Sequence, residues 1–417
     1  MKWNFLKREN YKMGRVFLIS AVISIILVKA DYLVQNFSFP FMDDSILMAH
    51  VDVLMEKQME KKKTNCFFDE KDVTYVNFGK DKSLVPVLDE FNDTIGNDVI
   101  TDRKTLLEFL ELAKKSDYKF LFLDVRFEKG YETPYDSALF SLIKEMPRLV
   151  IATHQRDGGY EIIDSSLLDK SAYADYRGSI FSGFTRYEFL QEGGRSVALQ
   201  MYYDIDEMDI TKRCCGYMTT GCIPCYNLKY IPLPHYLFKG KSKKEEDTNY
   251  VEEIRYLYAG SMILNRDLLP EEDVIKNLLD KKIVVVGDFD NDLHGTYVGE
   301  IPGPVLSLAA YKYLHAGLHK VSCWYVLFLF LLYFLIAFFT IISQGHIANF
   351  FEGKPVWHFI VSLFSLSFVF LIIKILLYRF FLVSMVMFFP TIIFWIITTC
   401  AFAQYEKANR NKEKKVA

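Results

Sequence analysis

Four apolar stretches, divided one against three around a long segment of mixed composition, limit what this chain can fold into. The first covers residues 16–34, with an uninterrupted apolar core at 16–28, and the others cover 321–342, 356–377 and 380–402. About twenty apolar residues in a helix suffice to cross a hydrocarbon core. Lys2, Lys7, Arg8, Lys12 and Arg15 precede the first stretch, and Lys407, Arg410, Lys412, Lys414 and Lys415 come after the last. The positive-inside bias therefore places residues 1–15 and the basic tail 403–417 in the cytoplasm. Two cytoplasmic ends need an even number of crossings, which one plus three supplies, so the intervening segment is expected outside the membrane.

Two features of the spans carry alternatives. Lys374 and Arg379 fall on the outer side, against the charge bias. Either they snorkel to the headgroups or Lys374 serves an intramembrane relay. The first stretch is either an uncleaved anchor or a cleaved signal, since Val28-Lys29-Ala30 has small residues at alternate positions. Both readings export the segment that begins near residue 35.

A formal charge of −3 leaves no basic excess for nucleic acid. The exported part is long enough to bury its own core without staples. Charge runs at 56–63 and 239–247 read as solvated faces or surface loops. Residues 35–72 are expected to be a helical stalk or cap, with 43–63 free of Pro and Gly.

Residues 73–320 then alternate in type. Val73 to Phe78 reads as a buried strand ended by Gly79, and Thr101-Asp102-Arg103 caps an amphipathic helix. Strand, helix and strand come next at 119–124, 135–146 and 148–153. That β-α-β-α-β order with short connections predicts an α/β fold, a mostly parallel sheet covered by helices. Asp157-Gly158-Gly159 marks a turn between two extended runs, and a helix is expected at 194–203. Further on, a helix at 270–279 leads into the strand Ile283-Val284-Val285-Val286-Gly287-Asp288, and Pro302-Gly303-Pro304 opens a helix at 305–314.

The Thr-Asp-Arg helix, the Leu121-Phe122-Leu123-Asp124-Val125-Arg126-Phe127 strand end, the Asp136 helix and Leu149-Val150-Ile151-Ala152 together resemble the first half of the second-type CHASE domain. That domain is an extracellular sensory module found with bacterial cyclases and histidine kinases. The block from Asp280 to Asp288, with Asp292-Leu293-His294-Gly295-Thr296 and Ile301-Pro302-Gly303-Pro304, is similar to its closing half. The resemblance extends to one span before the domain and three after it. It implies a sensory domain in a bacterial inner membrane, and a homodimer is one state open to it, since many membrane sensors of this layout signal across a two-fold axis. Three departures stand out. Asn77 and Gly79 occupy positions where acids are common, residues 205–250 look like a cysteine-containing insertion, and only the basic tail stands after the last span where a catalytic output domain is usual. The expected partners are thus the bilayer, an unknown extracytoplasmic ligand, and a separate cytoplasmic or envelope protein.

Cys214, Cys215, Cys222 and Cys225 form the sharpest local pattern. In an oxidising compartment they suit two disulfides, 214 with 222 and 215 with 225 or the crossed pair. A structural zinc site and free or redox-active thiols are the other readings. The second candidate site comes from the rule that open α/β sheets bind ligands at the carboxyl ends of their strands. It comprises Asp124, Arg126, Asp288, Asp292, His294 and Thr296. The alternative is that these groups cap helices and satisfy loop backbone.

Enzyme signatures are missing. Gly240-Lys241-Ser242 lacks the earlier Gly and the leading strand of a phosphate loop, and neither a nucleophile elbow nor a zinc-binding helix occurs. The expectation is a non-enzymatic sensory or ligand-binding protein without a cofactor or resident metal. A structural or assembly subunit of an envelope complex is the alternative, and a hydrolase using Asp124, Asp288 or His294 a third.

Overall fold

The structure is a computed structural model. It describes residues 2–34, 72–91, 93–128, 130–156, 159–160, 164–179, 183–191, 194–213, 216–225, 231–232, 256–265, 270–296, 299–317, 319–350 and 372. Two units are present, residues 43–319 and the pair of segments 1–42 and 320–417. The expected stalk at 43–63 lies outside the described residues.

The larger unit is built on six strands that all run parallel. They are β1 (Val73–Asn77), β4 (Phe120–Leu123), β5 (Leu149–Thr153), β6 (Ser171–Tyr173), β10 (Tyr256–Tyr258) and β11 (Ile283–Gly287). Their order across the sheet is β10, β1, β11, β4, β5, β6. The last long strand of the chain therefore slides between the first two that the sequence predicts, with Val285 opposite both Tyr75 and Phe122. All five residues of β11 are buried, as a strand covered on both faces requires. Each such Val or Ile contributes about 1.5–3 kcal/mol relative to exposure.

Side chains alternate between the two faces. Val76, Leu121, Leu123, Ile151, Val284 and Val286 face a core shared with α2 (Arg103–Lys114), α3 (Asp136–Glu145), α5 (Ala259–Asn265) and α6 (Glu271–Val274). Helices α4 (Val197–Asp206) and α7 (Gly303–His315) pack together and contact the sheet strands β4, β5 and β11. The cap that the sequence predicts for α2 is present, since an Asp102 carboxylate oxygen accepts from the Thr105 amide at 2.9 Å. Ser196 caps α4 in the same way, so that helix begins later than expected. The helix expected at 270–279 changes after one turn into a wider π-turn over Ile275–Leu279. The Thr74 hydroxyl donates to the Leu278 carbonyl in that turn.

The short link expected between the first strand and its helix is wrong. It holds an antiparallel hairpin, β2 (Lys82–Leu88) and β3 (Thr94–Thr101), that pairs with no other strand among the described residues. Pro86 is tolerated because β2 is an edge strand, where a missing amide donor goes unpunished. Most of β3 is exposed, so no hydrophobic alternation marks it in the sequence. Asp157 and Gly158 of the expected turn lie outside the described residues, and the segments on either side, Gln155–Arg156 and Gly159–Tyr160, pair as short antiparallel strands. Within the predicted insertion, Ile210–Arg213, Gly216–Thr219 and Pro224–Cys225 form a small antiparallel sheet.

A second mixed sheet flanks the first. Strands β7 (Tyr176–Ser179), β8 (Gly183–Tyr187), β9 (Ile231–Pro232), β12 (Leu293–Thr296) and β13 (Gly299–Pro302) make it up. Its β12–β13 hairpin carries the chain from the end of β11 to the start of α7.

In the other unit, α1 (Lys2–Val34) includes the apolar run Met13–Ala30. It is the one helix among the described residues that is long and apolar enough to cross a membrane. Helix α8 (Cys323–Phe350) has an apolar section at Cys323–Phe338. The rings of Phe17 and Phe334 meet edge to face at 4.8 Å between these two helices. On α1 the buried Ser24 hydroxyl donates to the Ser20 carbonyl at 2.6 Å. Apart from Ile372, the spans expected at 356–377 and 380–402 lie outside the described residues, as do Lys374 and Arg379.

Candidate functional site

A cavity of about 710 Å³ opens at the carboxyl ends of the parallel strands. Asp124 comes directly after β4, His154 after β5, Ala174 and Asp175 after β6, and Asp288 after β11. The hairpin β2–β3 forms another wall through Lys82, Asp98, Val99, Ile100 and Thr101, and the start of α7 adds Gly303, Leu306 and Ser307. This is where the strand-end rule places a ligand. The volume lies within the range of small-molecule sites.

Five of the six residues expected at the strand ends line this cavity: Asp124, Arg126, Asp288, Asp292 and His294. Thr296 ends β12, paired through its backbone with Gly299 and Phe184, and its side chain is outside the described set. The alternative reading holds in part for Asp288. Its Oδ1 accepts from the Asp290 amide at 3.0 Å and the Asn291 amide at 2.8 Å, so it organises the loop after β11. Its Oδ2 lies 2.6 Å from Lys82 Nζ and ties that loop to the hairpin.

Asn77 and Gly79, where the resembled family commonly has acids, are structural here. Asn77 Oδ1 accepts from the amides of Gly79 at 2.8 Å and Phe289 at 3.0 Å, which binds the end of β1 to the end of β11. A Cβ at Gly79 would sit 2.6 Å from Asp290 Oδ2 and 2.9 Å from Asp288 Oδ1. Gly303 serves a similar purpose across the cavity, because a Cβ there would collide with Asp292 Oδ2 and His294 Nε2.

Six carboxylates and two permanent cations line the cavity. Asp98 accepts from the Tyr131 hydroxyl at 2.9 Å, and Glu128 lies 3.3 Å from Arg126. Asp175 is 2.9 Å from His154 Nδ1, Asp292 is 3.0 Å from His294 Nε2, and Asp288 holds Lys82. Asp124 remains. Among the described residues its carboxylate has no hydrogen bond or ion pair. Burial is the main influence on it and pushes its pKa up to about 7. Asp292 adds to the rise, while His154, His294 and Arg126 oppose it. Burial also disfavours the charged form of Asp288, but hydrogen bonds from Lys82 and Asn291 outweigh it and hold that carboxyl below the usual range.

Tyr187 is a further wall residue that sequence reasoning missed. It is 1% exposed and its hydroxyl has no hydrogen-bond partner of good geometry. Burial raises its pKa to about 12, and the nearby Ser307 hydroxyl and Ala198 backbone moderate that rise. His154 and Asp175 were missed as well. Applying the strand-end rule to residues 148–153 would have found His154, whereas Asp175 depends on a three-residue strand too short to recognise.

Arg103 braces the site from behind. It is 1% exposed, its Nη2 donates to the Arg126 carbonyl, and its guanidinium stacks 4.3 Å from the Phe127 ring centroid. Asp136 Oδ1 lies 3.8 Å from its Nε. Burial lowers its pKa to about 10 against the pull of Asp136 and Asp102.

Among the described residues no group of three His, Cys, Asp or Glu side chains is arranged to hold a metal ion. Cys222 is an exposed free thiol and Cys225 is buried. Cys214 and Cys215, on which each expected pairing depends, lie outside the described residues. No protein family, curated protein or solved structure matches this chain.

Proposed function

We propose that this chain is a membrane-anchored protein whose extracytoplasmic α/β domain binds a small ligand at its strand ends and passes the occupied state to a separate partner protein. The observation that carries this reading is the cavity itself. It gathers side chains from the ends of four parallel strands, a hairpin and a helix start, and includes two histidine–carboxylate pairs. Among the described residues, Lys82 to Asp288 and Asp98 to Tyr131 tie the hairpin β2–β3 to the rest of the cavity wall. A ligand that competes for those acids would shift the hairpin, which offers a route from binding to signal. The four apolar stretches and the basic flanks support the anchoring, with two cytoplasmic ends and a large outer domain. The resemblance to the second-type CHASE domain supports placement in a bacterial inner membrane.

The test is a thermal-shift screen of the full chain in lipid nanodiscs against a small-molecule library, run beside a His154→Ala, His294→Ala double variant. Compounds that stabilise the wild type and not the variant would support the site. A library that stabilises neither protein, or both equally, would remove it.

An assembly role in an envelope complex is favoured by one observation. The hairpin exposes Leu84, Phe91, Ile95 and Val99, and Phe91 is 82% exposed. A partner that copurifies in constant proportion whether or not the cavity is filled would support that reading instead.

A further inference from the structure

We infer that the cavity takes an organic cation, an aliphatic molecule ending in a primary ammonium group, with the Asp124 carboxylate as its counter-ion and the Tyr187 hydroxyl as a second acceptor. This deepens the ligand-binding reading above and rests on it.

Charge selects the class of ligand. Every other carboxylate in the cavity wall already has a partner, so the unpaired one is Asp124, at the end of a central strand. An anionic ligand would meet an excess of negative charge. A neutral one would bring Asp124 no counter-charge and leave it to be neutralised by its own proton. An ammonium group supplies both the missing charge and N–H donors, and charge-assisted hydrogen bonds are the stronger kind.

Tyr187 is a second pointer: its buried hydroxyl makes no hydrogen bond of good geometry, with Ser307, Ser196 and the Ala198 backbone only near it, so a bound donor would complete it. Metal ions fit less well, since the described side chains offer no three-ligand cluster. The volume also exceeds what a lone ion fills, and Val99, Ile100, Val125 and Leu306 give the wall an apolar share suited to a carbon chain. The raised pKa of Asp124 agrees with this geometry, because burial and Asp292 disfavour its charge by more than His154, His294 and Arg126 support it.

The experiment is isothermal titration calorimetry on the full chain in nanodiscs at pH 7, with empty nanodiscs as reference. The probes are 5-aminopentanol, pentane-1,5-diol and 5-hydroxypentanoate, which differ only at one end, together with magnesium chloride. The expected result is binding of the amine alone. It should release about half a proton per site, as the ionisation of a carboxyl with pKa about 7 requires. That release is read from runs in two buffers of different ionisation heat, and uses the wild-type protein only. Asp124→Asn should weaken amine binding at least about tenfold, and Tyr187→Phe about threefold, each variant being checked for an unchanged fold by circular dichroism.

Binding of 5-hydroxypentanoate or the diol in preference to the amine would overturn the inference and leave the cavity as a ligand site. Amine binding that Asp124→Asn does not weaken would also overturn it, as would saturable magnesium binding without amine binding. No binding by any probe would overturn the cation assignment alone, because the library screen tests the site independently.

Discussion

Asp124 and Asp288 stand one residue beyond adjacent parallel strands, face the same cavity and have opposite electrostatics. Asp288 sits where the chain turns, so backbone amides and Asn291 reach it, and the hairpin brings Lys82. Asp124 leads into a loop that is held from behind by Arg103, whose charge is directed at a carbonyl and at Asp136 instead. A carboxylate at a strand end is thus a placement and not a property. Its charge state depends on which donors the neighbouring elements deliver.

The comparison can be broken most forcefully at its brace. Arg103→Ala should lower unfolding stability by about 3–5 kcal/mol, because it leaves Asp136 buried beside an empty slot. Denaturant unfolding of the full chain would measure this, and an unchanged midpoint would mean that the Asp124 loop holds itself.

Asp124→Asn should act in the other direction. A carboxyl whose pKa is raised to about 7 in the folded protein binds its proton more tightly there than in the unfolded chain. Stability is then lost as pH rises from the unfolded value through the folded one, by a few kcal/mol at most, at ~1.4 kcal/mol per pKa unit. The variant should be more stable than wild type at pH 8 and should flatten that slope, which thermal melts across the pH range would show. A variant less stable at pH 8 would contradict the unpaired state of Asp124.

Asp288→Asn should instead destabilise at pH 8 by about 1.5–3 kcal/mol, through the weakened charged hydrogen bond with Lys82. Because its folded pKa is lowered, its contribution is present above the unfolded value and disappears as pH falls through the folded one. The two variants should therefore diverge most at alkaline pH and converge in acid. The smallest effect belongs to a pair outside the cavity, Lys115 with Glu271 on the exposed surface. Glu271→Ala should change the midpoint by no more than ~0.5 kcal/mol. A larger change there would show that exposed pairs rival the cavity ones and would blunt the comparison.

Much of this was legible in the residues. The strands at 73–78, 119–124, 148–153 and 283–288 are short apolar runs bounded by Asp, Gly and Thr, and such runs identify themselves because a parallel strand must be apolar on both faces. Asp102 announces α2 because a cap acts within four residues. The hairpin β2–β3 gave no such sign, since it buries little and carries Pro86 and Gly96 inside its strands.

By itself, then, the sequence determined the class of the fold, the first membrane-length helix and the rule that places acids at strand ends, because these depend on local pattern and on polarity along the chain. Tertiary structure decided that β11 lies between β1 and β4, that Tyr187 and Asp175 join a cavity with residues more than a hundred positions away, and that Asp124 is left unpaired while Asp288 is not. The physical reason is distance: a charge responds to what lies within a few ångströms in space, and the order of strands in the sheet, not their order in the chain, sets those neighbours.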